Sequence, residues 1–474
     1  MKTLRLEHPV DPEAAFLALY GDSATAFWLD SSRPLDGARF SFVGDASGPL
    51  GKTVSYDVDS RRLTIASGGE TEVLDESIFS YLERELARLR PLAAELPFDF
   101  DCGFAGYLGY ELKADCGAAR GHRSPLPDAA FVFADRMVAF DHERGHTYLL
   151  CLAGDGGRGE AESWLEATAA SLAALGDRKA PGGPGGPPGR DRTEFRLARP
   201  AERYLEDIAA CERYLLEGES YELCLTNSVT AAVGVDPLSL YRELRRVNPA
   251  PYASYLRFGG LAVLSSSPER FLKVDRLGGV EARPIKGTAR RGRTAVEDER
   301  LAEGLRTSEK DRAENLMIVD LLRNDLGAVC EIGSVEVPVL MEVESFATVH
   351  QLVSTVRGRL RRDAGTIECV RSCFPPGSMT GAPKLRTMEI LDDLEGAARG
   401  IYSGAIGFFG LGGGCDLSVT IRTIVLDGGT ATIGTGGAIV LQSDAQSELE
   451  EVLLKARAPM SAIDAAAAEA LFSA

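Results

Sequence analysis

From Pro181 to Gly189 the chain contains only proline and glycine. Proline lacks a backbone donor and fixes φ, and glycine loses the most backbone entropy on ordering. Such a run builds neither a helix nor an interior strand. Any fold for this chain must leave those residues outside its packed elements. The run divides the 474 residues into an N-terminal region, 1–175, and a longer C-terminal region, 196–474, with 176–195 as a linker. The same segment also fits a long surface loop within one intertwined globule.

Strand-like and helix-like segments alternate on both sides, without a fixed-period repeat. Apolar spacing predicts helices over Pro12–Tyr20, Ile78–Leu89, Glu160–Leu175, Pro200–Glu217, Leu238–Val247, Asp311–Leu322, Lys384–Leu394 and Gln446–Ala458. Strands are predicted over Ala26–Asp30, Arg39–Val43, Phe104–Tyr110, Tyr221–Thr226, Ala262–Ser265 and Arg270–Val274. Val132–Phe140 and His146–Leu152 suit a hairpin. Asp427-Gly428-Gly429 signals a second one, joining Leu417–Leu426 to Thr430–Val440. Arg290–Lys310 reads as a mobile loop plus helix.

The formal net charge of −18 argues against nucleic acid or an anionic membrane as the main partner. No apolar run reaches transmembrane length, and the first residues lack the pattern of a signal peptide. Nine scattered cysteines without a CxxC pair read as reduced thiols, so a cytoplasmic location is expected.

Two acidic pairs stand out. Asp311 and Glu314 are three apart on one predicted helix, and Glu448 and Glu451 repeat the spacing on the last helix. Four carboxylates with no histidine or cysteine among them suit Mg²⁺, a hard ion that prefers oxygen. The same pattern also describes two solvated acidic helix faces. In Arg283-Pro284-Ile285-Lys286-Gly287-Thr288 a lysine stands between a proline-ended strand and a Gly-Thr turn. Gly287 permits close backbone approach to a ligand, and Thr288 offers a hydroxyl and an amide. Arg422 falls within the predicted strand Leu417–Leu426, where a charge needs a partner and can fork a carboxylate. Lys455 follows Glu451 by one helical turn, and the amides around Gly434 and Gly436 could meet an anion. Glu269, after Pro268, is a candidate general acid, and His350 is one of only five histidines. No nucleophile elbow, P-loop or Ser-His-Asp order is found.

In order, these segments resemble the chorismate-utilising enzymes, which include component I of anthranilate synthase and of aminodeoxychorismate synthase. The resemblance rests on Ser267–Phe271 (Ser-Pro-Glu-Arg-Phe), on Glu314–Asp325 and on Phe374–Lys384, and runs from about Tyr204 to Met460. It implies an α/β (α+β) fold like that of anthranilate synthase component I. Two large, mainly antiparallel sheets would pack as a sandwich with helices outside, both halves joining one globule. It implies Mg²⁺ held directly by Glu314 and Glu451 and through water by Asp311 and Glu448. Tyr402, Arg422, Lys455 and the amides near Gly434 and Gly436 would bind a chorismate carboxylate. Glu269 would protonate the departing C4 hydroxyl, and His350 would sit beside the ring.

Lys286 marks the branch. Pro-Ile-Lys-Gly-Thr resembles the aminodeoxychorismate synthases, where a lysine of lowered pKa would attack C2 before ammonia enters at C4. Glu222 stands where water-using relatives place a lysine, and its implied role is to orient ammonia. No amidotransferase cysteine with a downstream His-Glu pair is found. Ammonia is therefore expected from a separate glutamine amidotransferase chain. Ser31 falls at the place where relatives bind tryptophan, although Asp30 replaces their usual glutamate. The rivals are an anthranilate or aminodeoxyisochorismate synthase, and a non-catalytic chorismate-binding subunit.

Overall fold

The computed structural model describes residues 1–31, 38–154, 157–176, 193–346 and 349–473. The proline–glycine run of the expected linker lies outside them. Among the described residues, two sheets of twelve strands each account for the strand content, and every strand pairing is antiparallel. The 1–175 and 196–474 regions are not separate units. In the first sheet Thr25–Asp30 pairs with Tyr252–Phe258, and in the second Gly103–Leu108 pairs with Ala405–Gly410.

The sheets pack face to face through one continuous apolar layer. Phe42 of the first sheet meets Phe408 of the second with ring centroids 5.6 Å apart, and Phe100 stacks on Phe408 at 4.5 Å. Helices cover the outer face of the first sheet, where Phe16, Trp28, Tyr241 and Ile463 form a second core. No helix among the described residues is long and apolar enough to cross a membrane.

Helix ends follow their caps. Pro12–Tyr20 begins where the Asp11 side chain accepts from the Glu13 amide, and Ile78–Leu89 where Ser77 accepts from Phe79. Other boundaries differ from the sequence reading. Val132–Phe140 is two strands, Ala129–Ala134 and Arg136–Asp141, and the second makes the hairpin with His146–Cys151. Phe104–Tyr110 stops at Leu108 and turns into the 3₁₀ segment Tyr110–Cys116. Arg290–Lys310 contains the helix Ala295–Thr307, capped by Thr294. The last helix continues through Pro459 to Ser473.

The largest departure bears on the site. Leu417–Leu426 is not one strand: Cys415–Val419 belongs to the second sheet and Thr423–Asp427 to the first. The chain crosses between sheets at Thr420–Arg422, and Arg422 takes φ +53°, a left-handed conformation rare for a residue with a Cβ. Apolar alternation runs through the crossing because both sheets bury the same side, so periodicity alone does not reveal it.

Candidate active site

A second crossing lies beside the first. Leu261–Ser267 is in the first sheet and Arg270–Val274 in the second, which leaves Pro268 and Glu269 at the seam. The crossings are tied together: the Val419 amide donates to the Glu269 carbonyl at 3.0 Å, and the Ser266 amide to the Arg422 carbonyl at 3.2 Å.

Lys286 reaches the same seam. Pro284 separates Gly279–Arg283 from the edge strand Ile285–Arg290, whose pairing with Val349–Arg359 shifts register between Ile285 and Thr288. Gly287, in that irregularity, has φ +87°, and a Cβ there would lie 2.8 Å from Asp311 Oδ1. Only glycine lets the lysine strand rest on the acidic helix Glu309–Gly327. Lys286 is buried, and its Nζ lies 2.5 Å from Oε1 of Glu222, the first residue of the strand Glu222–Ala232. This ion pair joins the edge of one sheet to a strand of the other. Thr288 is exposed next to it.

Burial draws the Lys286 ammonium down, but Glu222 and Glu314 outweigh it and hold the group above the ordinary lysine value. The lowering expected for Lys286 is not found: with Glu222 beside it the lysine is charged. Burial also pushes Glu269 up to about 7, against a hydrogen bond from Ser378 and the charge of Lys286. Glu314 is likewise pushed up by burial to about 7, against Lys286 and with the help of Glu222. Both carboxyls are poised to hold a proton near neutrality.

The acidic helices meet through Lys310. Its Nζ lies 2.6 Å from Glu448 Oε1 and 3.8 Å from Glu314 Oε1, and Ser443 also donates to Glu448 at 2.7 Å. Glu451 is more exposed and pairs with Lys455 at 2.8 Å. Burial works against the Glu451 charge, yet Lys455 holds its carboxyl below the usual range. Among the described residues no three side chains of His, Cys, Asp or Glu are grouped closely enough to ligate a metal as they stand. Still, Glu314 and Glu448 already share one cation, and their all-oxygen donor set fits Mg²⁺ once the ammonium moves aside.

Lys455 also donates to the Gly436 carbonyl at 2.8 Å, and its own carbonyl accepts from Arg422 Nη1 at 2.7 Å. Burial lowers the Arg422 guanidinium from its ordinary value, with only Tyr402 and Glu451 in opposition. A Cβ on Gly434 would lie 2.0 Å from Cγ of Tyr402, so the tyrosine ring lies flat against that strand because position 434 is glycine. Arg422, Tyr402, Lys455, Gly434 and Gly436 thus form one basic, glycine-lined wall. His350 is buried elsewhere in its bonding: Ser345 engages Nδ1 at 2.7 Å and Asp298 engages Nε2 at 3.0 Å. Ser31 lines another cavity, of about 140 Å³, with Asp30, Phe40, Tyr252 and Phe408, and shares none of the Lys286 cluster. There Asp30 is bound by Arg245 at 2.6 Å and by Ser41 at 3.2 Å.

Sequence reasoning missed several supports. Arg399 is almost wholly buried and donates to Glu395, to the Cys224 carbonyl at 2.8 Å and to the Met379 carbonyl at 2.6 Å. It thereby clamps the Glu222 strand to the Ser378 loop. Lys384 holds the other side of that loop through the carbonyls of Cys373 and Pro375 and through Asp325. Ser378 lies inside the Phe374–Lys384 motif and Lys310 ends the polar segment Arg290–Lys310, and neither carries a local mark of its partner. Nothing local distinguishes Arg399 from a surface arginine.

The two-sheet sandwich is the fold of anthranilate synthase component I. The crystal structure of that protein from Streptococcus pneumoniae TIGR4 superposes with a TM-score of 0.75 at 27% identity, covering 97% of this chain and 100% of that one. A family model described as chorismate binding enzyme matches residues 41–461, and the chain belongs to that family. An aminodeoxychorismate synthase of Streptomyces pristinaespiralis is 51% identical over 98% of this chain, and one of Streptomyces griseus 49% over 96%. Anthranilate synthase component 1 of Streptomyces coelicolor is 37% identical over 98% of this chain and 89% of its own length. The chain spans 65% and 63% of the two aminodeoxychorismate synthases.

Proposed function

We propose that the chain is the synthase component of an aminodeoxychorismate synthase, converting chorismate and ammonia to 4-amino-4-deoxychorismate. The observation that carries this is Lys286, a buried lysine delivered to the seam between the sheets and fixed there by Glu222. The aminodeoxychorismate synthases, similar at about half of all positions, support the same branch.

In this reading Arg422, Lys455, Tyr402 and the amides at Gly434 and Gly436 orient the enolpyruvyl carboxylate. Glu314 and Glu451, with Asp311 and Glu448 behind them, would hold Mg²⁺, which when bound would neutralise the ring carboxylate. Glu269 is protonated near neutrality and gives its proton to the departing C4 hydroxyl. Lys286 attacks C2 as that oxygen leaves, and ammonia then displaces the lysine by attack at C4. The enolpyruvyl ether is retained. The product feeds p-aminobenzoate and folate, or a secondary metabolite, in the cytoplasm.

Ammonia comes from a glutamine amidotransferase that lies outside these 474 residues. All nine cysteines here are free, eight are buried, and burial pushes the half-buried Cys116 thiol up, away from nucleophilic service.

Purified protein with chorismate, Mg²⁺ and an ammonium salt tests the reading, with pyruvate release and product mass followed together. An aminated product without pyruvate is expected, its amine at C4. Pyruvate with a fluorescent aromatic amine would mean anthranilate synthase. Amination at C2 would mean the isochorismate-type reaction, and chorismate binding without turnover a non-catalytic subunit.

A further inference from the structure

The reaction proposed above needs Lys286 as a free amine, yet the folded chain holds it as an ammonium. Its proton must pass to a group within hydrogen-bond reach. Glu222 Oε1 lies 2.5 Å from Nζ, and no other hydrogen-bond partner of Nζ is found among the described residues. Glu314 acts on Lys286 through its charge but is assigned to the metal.

Glu222 is built for more than charge balance. Its side chain is fully buried, and Oε2 has no hydrogen-bond partner among the described residues. An unsatisfied buried oxygen is expensive to keep and can take a proton without displacing another donor. Its backbone is fixed on all sides: Ser220 Oγ donates to its carbonyl at 2.9 Å, Ala382 pairs with it, and Arg399 holds Cys224 two residues on.

We propose that Glu222 is the proton shuttle of Lys286, taking one proton as the amine attacks and returning it when the amine is released. This rests on the lysine-adduct reading. In the first half-reaction one N–H bond of Lys286 breaks and an O–H bond forms on Glu222. The freed lone pair makes the C2–N bond, the ring double bonds shift, and the C4–O pair leaves with the Glu269 proton as water. In the second half-reaction an incoming ammonium gives one proton to Glu269, and the resulting ammonia forms the C4–N bond. The C2–N pair then returns to Lys286 and the Glu222 proton follows it. Both carboxyls and the lysine end as they began.

The test compares Glu222→Gln, which keeps the shape but takes no proton, with Glu222→Gly, which leaves room for a small carboxylate. Turnover with ammonium is measured with and without formate, and the chorismate adduct is followed by intact mass without ammonium. Both rates should fall about a hundredfold in each variant, the low end for a general base, because loss of the carboxylate also eases deprotonation by solvent. Formate should restore Glu222→Gly by about tenfold or more and leave Glu222→Gln unchanged, whereas a purely structural role predicts no rescue. A Glu222→Gln enzyme within about threefold of wild type, or a Glu222→Gly enzyme indifferent to formate, overturns the shuttle. Turnover that survives Lys286→Ala overturns the lysine reading itself, which is a different result.

Discussion

Replacing Arg399 with methionine should cost this protein a large share of its stability and more kcat than KM. All of its donors are engaged: Nε and Nη2 bind Glu395 at 2.8 and 2.7 Å, Nη2 also binds the Cys224 carbonyl, and Nη1 binds the Met379 carbonyl and Ser403 Oγ. The arginine side chain is 3% exposed and that of Glu395 is 7% exposed, so water does not replace the lost partners. Stranding one member of a buried pair costs about 3–5 kcal/mol. The two carbonyls that lose a donor add about 1 kcal/mol each. Glu395 keeps donors from the Thr226 amide and hydroxyl, at 2.8 and 3.0 Å, which holds the sum to roughly 4–6 kcal/mol. Against a typical total of about 5–15 kcal/mol that is close to unfolding. Denaturant unfolding of wild type, Arg399→Met, Glu395→Gln and the double variant measures it. The double variant should recover about 2 kcal/mol over Arg399→Met, because the stranded charge is gone. A loss below about 1 kcal/mol, or strictly additive single effects, would refute the argument.

Three further outcomes are expected. As the proposed acid Glu269 must be protonated, and burial pushes it up to about 7, so kcat/KM should fall about tenfold per unit above that pH; a flat profile up to about pH 9 would remove it as the acid. Gly434→Ala puts a methyl into the Tyr402 ring, and overpacking of about 1–3 kcal/mol should appear as a lower Tm and a higher KM for chorismate. On the proposed metal assignment Lys310 and Mg²⁺ compete for Glu448 and Glu314, so Lys310→Ala should be less stable without metal. It should bind Mg²⁺ about tenfold more tightly, about 1.4 kcal/mol, by titration calorimetry, and an unchanged affinity would place the metal elsewhere.

Much of the fold was legible because its signals are local. The helices Pro12–Tyr20 and Ile78–Leu89 run as predicted since their caps and apolar spacing lie within the segment itself. The two-glycine turn after Asp427 joins its strands as expected, with Asp427 facing Thr430. Arg422 was legible as a charge in need of a partner, but not as a kink. Alternation carries no mark of which sheet a strand enters, and Cys415–Val419 and Thr423–Asp427 enter different ones.

The sequence by itself determined which residues could do chemistry and, through long ordered motifs, the family to which they belong. It did not determine what each of them touches. Glu222 and Lys286 are 64 residues apart, and neither local propensity nor spacing links them. Their pairing exists because one strand of each sheet ends at the same seam, and only the packing of the sheets decides that. The protonation of the lysine follows from that packing. A lysine buried alone would lose its charge, whereas one buried beside Glu222 and Glu314 keeps it, since nearby opposite charge outweighs desolvation.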